Sequence, residues 1–182
     1  MKDKRELVLN AKQLRKGKGA RVKGKVKRNQ IYIVLDNVLD TYNIGSIFRL
    51  ADAVSARKIY ICGQSEVPPN HRIKKASINT TEVVEWEYAE SALQAIRKLK
   101  IDNGQLTIIA VEQSNKSVPY DEFDYQLPIC LIVGHETDGV SKEVLEMVDA
   151  IVELPMFGVN KSLNVMVSLG IVLYKVIEKI TI

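Results

Sequence analysis

Five apolar runs punctuate the chain between residues 31 and 155: IYIVL, KIYIC, QLTIIAV, PICLIVG and AIVELP. They are short, rich in β-branched residues and bounded by turn residues, which is the pattern of strands. They do not alternate with polar residues, so both faces of each strand must be covered, as in a parallel sheet. Helical patterns separate them. GSIFRLADAV puts Ile47, Leu50 and Val54 on one face, with Arg49 and Asp52 off it. SALQAIRKLK is amphipathic with Ser91 as N-cap, and SKEVLEMV has Ser141 as N-cap. A final helix, capped by Asn160 or Ser162, runs to about Lys179. TEVVEWEY alternates and reads as a further strand, placed at an edge by Glu82, Glu85 and Glu87. HRIKKAS forms a short basic helix and NKSVPYDEFDYQLP a long loop. The order β-α-β-(α)-β-α-β-β-α-β-α predicts an α/β fold, a mostly parallel sheet with helices on both faces.

Charge divides the chain in two. Residues 1–30 hold 12 Lys/Arg against 2 Asp/Glu, while residues 31–182 hold 14 against 20. The segment 1–30 reads as a flexible basic arm with a short helix near 3–16, and 31–182 as one domain. Such an arm on a mildly acidic body suggests a polyanionic partner, with Arg21, Lys23, Lys25, Lys27 and Arg28 as phosphate contacts. Arg72, Lys74 and Lys75, next to His71, form a second basic cluster, expected near the active site as further RNA contacts. Cys62 and Cys130 both fall in strands and read as buried free thiols, which agrees with a reducing cytoplasm. The charged N-terminus is not expected to be a signal peptide, and no apolar stretch approaches the roughly 18 residues of a membrane span.

Ligands of open α/β sheets bind outside the carboxyl ends of the strands. Three polar loops fall there: DNVLDTYNIGSIFR, GHETDG and PMFGVNKSLNVMV. None carries GxGxxG or GxxxxGK[ST], and neither a zinc pattern nor a nucleophile elbow is present, so no metal is expected. What remains is amides, hydroxyls, one Arg and one Glu. Such groups position and polarise, and they suit transfer between two bound substrates.

Together the three loops resemble the motifs of the SpoU (TrmH) family of RNA ribose 2′-O-methyltransferases, in the SPOUT superfamily. The first is Asn37-x-x-Asp40-x-x-Asn43-x-Gly45-x-x-x-Arg49, the second Gly134-x-Glu136-x-x-Gly139. The third is Leu154-Pro155-Met156-x-Gly158, followed by Ser162-Leu163-Asn164-Val165. The match departs from the family at Thr41, His135 and Met166, where Pro, Asn or Pro, and Ser are usual.

The resemblance implies a C-terminal deep trefoil knot, a homodimer with the active site near its interface, and S-adenosylmethionine bound bent in the knot. It implies methyl transfer to a ribose 2′-OH in structured RNA, tRNA slightly ahead of rRNA, in the cytoplasm. Arg49, Asn43, Glu136, Ser162 and Asn164 become catalytic candidates, and Arg49 also engages RNA. Val111, Gly134, Leu154, Met156, Ser162 and Leu163 become cofactor contacts. Met156 and Phe157 would be apolar because they line the pocket, and Pro155 and Gly158 would allow its tight course. Gly45 would let the backbone approach closely where the helix begins, and Gly134 would let the cofactor sit against the backbone. Glu136 would orient Arg49 or Asn164, or fix the loop. The guanidinium of Arg49 suits holding phosphate and stabilising an alkoxide better than accepting a proton. The competing reading is a non-catalytic RNA-binding protein on the same fold.

Overall fold

The computed structural model describes residues 8–181. Its centre is one seven-stranded sheet, ordered β3-β2-β1-β6-β4-β7-β5, in which every pairing is parallel. The strands are β1 (Asn29–Asp36), β2 (Ala56–Cys62), β3 (Trp86–Ala89), β4 (Thr107–Val111), β5 (Val118–Pro119), β6 (Ile129–Gly134) and β7 (Ala150–Glu153). The helices are α1 (Ala11–Arg15), α2 (Thr41–Ala53), α3 (His71–Ser77), α4 (Ala92–Asn103), α5 (Lys142–Leu145) and α6 (Val165–Thr181). Continuous apolar strands need two cores, and two are present. Ile31, Ile33 and Leu35 of β1 pack with Ile44, Ile47 and Phe48 of α2, Ile73 of α3, and Leu169, Val172 and Leu173 of α6. Tyr32 and Val34, on alternate positions of the same strand, face Ala95, Ile96 and Leu99 of α4.

Local chemistry sets the ends of the elements. Asp40 Oδ1 accepts from Tyr42 N at 2.7 Å and Asn43 N at 3.3 Å, which caps α2. Asn37 sits at φ 57°, a left-handed conformation that Asn tolerates. Its side chain accepts from Gln64 N at 3.1 Å and donates to Asp36 Oδ1 at 3.0 Å. Both polar residues of the first loop therefore build the turn that launches α2.

Several expectations change. TEVVEWEY is strand only from Trp86. Residues Thr80–Glu82 form a 3-10 turn instead, and β3 does lie at the sheet edge. There the Glu87 carboxylate holds Lys58 of β2 and Lys98 of α4. The long loop after β4 contains β5, a two-residue strand. Ser141 stands at the start of α5 but caps nothing with its side chain, because its Oγ donates to Asp36 Oδ2. The last helix starts at Val165 and ends at Thr181, and Asn164 rather than Asn160 or Ser162 holds its first turn. Asn164 Oδ1 accepts from Met166 N at 2.9 Å.

The basic segment is docked where it is described. Residues 3–7 of the expected helix lie outside the described residues, and α1 itself covers only Ala11–Arg15. Asn79 Nδ2 donates to Leu14 O at 3.2 Å, and Gly19 is buried so closely that a Cβ would lie 2.7 Å from Val83 Cγ2. Arg28, expected to contact RNA, instead donates to Val83 O at 3.1 Å and pairs with Asp52 at 3.5 Å, its side chain only 10% exposed. β1 begins one residue later, at Asn29, two residues before the expected domain start.

Cys62 and Cys130 are buried free thiols. Burial pushes Cys62 up to about 12 and raises Cys130 as well, so neither is a nucleophile at neutral pH. Among the described residues no helix is long and apolar enough to cross a membrane. Nor is there, among them, a group of three or more His, Cys, Asp or Glu placed to hold a metal ion.

Candidate active site

A cavity of about 550 Å³ opens at the carboxyl ends of β4, β6 and β7, against the start of α6. Its lining includes Val111, Gly134, Leu154, Met156, Ser162 and Leu163, all six expected cofactor contacts. Glu136 and Asn164 line it too. The volume lies in the range of small-molecule sites, about 300–1,000 Å³. Val111, Val133, Leu154 and Met156 make an apolar wall, and Glu112, Glu153 and Asp138 put carboxylates on the lining. That combination fits S-adenosylmethionine, which has a flat apolar purine and a sulfonium cation.

The mouth of the cavity is tied by a chain of side chains. Glu136 Oε1 accepts from Asp40 N at 3.0 Å and from Asn43 Nδ2 at 3.1 Å, and Oε2 accepts from Leu39 N at 3.1 Å. Asn43, itself buried, accepts from Asn164 Nδ2 at 3.0 Å. Glu136, Asn43 and Asn164 thus join the first loop, the second loop and the base of α6. Burial pushes the Glu136 carboxyl up, but the donors on Asp40, Asn43 and Leu39 outweigh it and leave the group below the usual carboxylate range. Glu136 fixes the first loop and, through Asn43, reaches Asn164. It makes no hydrogen bond to Arg49.

A second clamp lies beneath. Asp36, only 3% exposed, accepts from Ser141 N at 2.9 Å and Ser141 Oγ at 2.7 Å. It is in register with Gly134, so the ends of β1 and β6 are locked to the segment that follows the second loop. Gly134 is also required by packing between the loop strands. A Cβ on it would lie 2.1 Å from the Gly139 carbonyl. Gly45 does serve close approach, since a Cβ there would lie 2.7 Å from Ile73 O of α3.

The third loop is less constrained. Phe157 is 95% exposed and does not line the cavity, contrary to expectation. Gly158 has open space around it and no positive φ, so nothing in the backbone demands glycine. Ser162 is exposed, and its N–H donates to Asn160 Oδ1 at 3.4 Å. Arg49 is exposed on α2 and stands outside the cavity of its own chain. Arg21, Lys23, Lys25 and Lys27 are exposed in the N-terminal segment, and Arg72, Lys74 and Lys75 on α3.

Two residues were missed by sequence reasoning. Glu112 Oε2 accepts from Val140 N at 2.9 Å, and Gln113 Nε2 donates to Lys161 O at 2.6 Å. Gln113 is the side chain of β4's end that ties the third loop to the sheet. Both residues directly follow a strand, so the rule that flagged the other three loops would have found them.

Residues 30–174 match the family model described as the SpoU rRNA Methylase family. A tRNA (guanosine(18)-2′-O)-methyltransferase of Aquifex aeolicus is 34% identical over 153 residues, covering 82% of this chain and 69% of that protein. The Escherichia coli K12 protein of the same name is 29% identical, covering 82% and 63%. The chain spans between 58% and 69% of the length of the curated relatives it matches. Among solved structures, the A. aeolicus TrmH/SpoU tRNA modifying enzyme superposes with a TM-score of 0.76 at 29% identity, covering 94% of this chain and 84% of that one. An AdoMet-bound rRNA methyltransferase from Sinorhizobium meliloti superposes with a TM-score of 0.76 at 25% identity, covering 88% and 59%. The chain is a member of the SpoU rRNA methylase family.

Proposed function

We propose that the protein transfers a methyl group from S-adenosylmethionine to the ribose 2′-hydroxyl of a nucleotide in structured RNA, with tRNA the first substrate to test. One observation carries this reading. All six expected cofactor contacts line a single cavity whose mouth is held by Glu136, Asn43 and Asn164. The cofactor supplies an electrophilic methyl carbon; the chain supplies placement. Val111, Leu154, Met156 and Leu163 would enclose the apolar part of the cofactor, and backbone groups around Leu154 and Met156 the purine edge. Asn164 and Ser162 stand where the ribose must enter. Arg49 would hold the RNA phosphate with a fork of donors and stabilise the oxygen as its proton leaves.

Labour is divided between the basic segment 1–30, which grips RNA, and residues 31–182, which hold the chemistry. The reading includes a knotted path for residues 154–164, supported by their sharing one cavity with loop 134–139. It also includes a homodimer. Val167 and Tyr174, seven residues apart and so on one face of α6, are 40% and 56% exposed, and Phe157 and Val159 stand exposed in the loop before it. A second copy would cover them and bring the site near Arg49 of its partner.

The test is transfer of labelled methyl from S-adenosylmethionine to bulk tRNA and rRNA by the wild type and by Arg49→Ala. Arg49 is exposed, so its loss should leave the fold and cofactor binding intact. Label in a 2′-O-methyl nucleoside, lost in the variant, is the expected result. RNA binding with neither transfer nor S-adenosylmethionine binding would replace this reading with that of a non-catalytic RNA-binding protein.

A further inference from the structure

A second cavity, of about 410 Å³, lies away from the first and is bordered by Arg15, His71, Lys74, Lys75, Ile78 and Asn79. No carboxylate is among these residues. It is assembled from two parts of the chain more than fifty residues apart. α3 buries Ile73 and Ser77 against the core and turns His71, Lys74 and Lys75 outward. Arg15 is delivered by the N-terminal segment, whose course is held by the bond from Asn79 to Leu14 O, by burial of Gly19 against Val83, and by Arg28 on Asp52. The three cations are thus brought together by the fold.

The position is equally specific. α3 packs on α2 so closely at Gly45 that a Cβ would lie 2.6 Å from Ala76 Cβ. Gly45 is two residues from Asn43, and packed helices sit about 8–10 Å apart. α3, α2 and α6 share one core on one face of the sheet. The first turn of α2, which carries Asn43, therefore lies on the helix that carries His71, Lys74 and Lys75.

We propose that this second cavity seats one backbone phosphate of the RNA, held jointly by Arg15 from the N-terminal segment and by Lys74 and Lys75 from α3. The inference rests on the methyltransferase reading above. Arg15 contributes a planar fork and the lysines point charges, a set suited to a phosphodiester and blind to base identity. Its effect is to fix the register of the RNA relative to the reacting ribose. The basic segment then acts as one wall of a preformed site.

The test uses bulk tRNA and the full chain. Binding is measured against salt for the wild type, Arg15→Ala, the pair Lys74→Ala with Lys75→Ala, all three together, and Arg97→Ala on α4 at the opposite face. S-adenosylmethionine binding is followed by calorimetry in each. One phosphate contact contributes about 0.7–0.9 to the slope of log K against log salt. Arg15→Ala and the lysine pair should each flatten the slope by up to about that amount and weaken binding by about tenfold. The triple variant should lose less than the two losses combined, because they share one phosphate. Arg97→Ala should keep the wild-type slope, and cofactor affinity should hold throughout. Unchanged slopes in the cavity variants, full additivity, or an equal loss in Arg97→Ala would each overturn the phosphate seat while leaving the methyltransferase reading in place. A wild type that binds S-adenosylmethionine but no RNA would sink both.

Discussion

The two sides of the cofactor cavity are built on different principles. On one side, the lining residues 134–139 belong to a segment cross-tied by side chains to residues 36–43: Ser141 to Asp36, and Glu136 to Leu39, Asp40 and Asn43. On the other, residues 155–163 hang from Gln113 and a local turn at Asn160, with Phe157 and Val159 in solvent. On the proposed reading, the tied side reaches the reacting ribose through Asn43 and Asn164, and misplacement there costs rate steeply. The loose side, which carries Ser162, closes over the ligand, and part of the binding free energy can order it. Rigidity is concentrated where alignment matters.

Asp36→Ala is the severest way to break this contrast. Asp36 is buried and accepts three hydrogen bonds, two from Ser141 and one from Asn37. A hydrogen bond to a charged group contributes about 1.5–3 kcal/mol, and orphaned buried donors add a penalty. A loss of about 3 kcal/mol in urea unfolding is expected, larger than for any substitution within 157–163. A loss under about 1 kcal/mol would show that the clamp is not what holds the tied side.

Glu136→Ala separates stability from activity. Its backbone donors Leu39 N and Asp40 N are close to solvent, so water can replace the carboxylate, and the expected cost is about 1 kcal/mol. Asn43, however, loses its anchor, and with it the hold on Asn164. Methyl transfer should fall by about a hundredfold or more, with cofactor affinity changed far less. Equal modest losses in both would mean that the Glu136–Asn43–Asn164 chain is structural only.

The same residue gives a pH signature. The folded carboxyl of Glu136 lies below its unfolded value of about 4.3. Its contribution to stability is therefore complete above that value and is lost as pH falls through the folded pKa. Glu87, held by Lys58 and Lys98, is lowered too and acts in the same window. The informative quantity is thus the difference between wild type and Glu136→Gln, which should shrink below about pH 4. A difference independent of pH between 3 and 7 would mean that the charged form is not what the loop donors hold.

The sheet was legible because β1, β2, β4, β6 and β7 are unbroken apolar runs, a signal internal to each strand. β5 has two residues and no pattern to read. TEVVEWEY has the alternation of a strand, but its first half follows a left-handed Asn79 and turns as a 3-10 helix. Ser141 looked like a cap because its natural partner in sequence is the next turn. Its actual partner, Asp36, is 105 residues away, which no local rule supplies. The cofactor contacts were placed by resemblance to a family, and the cavity gathers all six. Phe157 shows the limit of that route: an apolar residue beside a pocket need not face it.

The smallest expected effect tests the loose side. Gln113 Nε2 donates to Lys161 O, a bond near solvent that joins the third loop to the end of β4. Gln113→Ala should cost under about 0.5 kcal/mol in stability, as exposed substitutions usually do. The free loop should then sample more conformations, and each molecule of bound cofactor would have to order more of it. S-adenosylmethionine affinity is expected to fall a few-fold by calorimetry, with a less favourable binding entropy. Unchanged affinity and entropy would mean that residues 155–163 are already set without Gln113, and the contrast between the two walls would narrow to the hydrogen bonds of Asp36 and Glu136 alone.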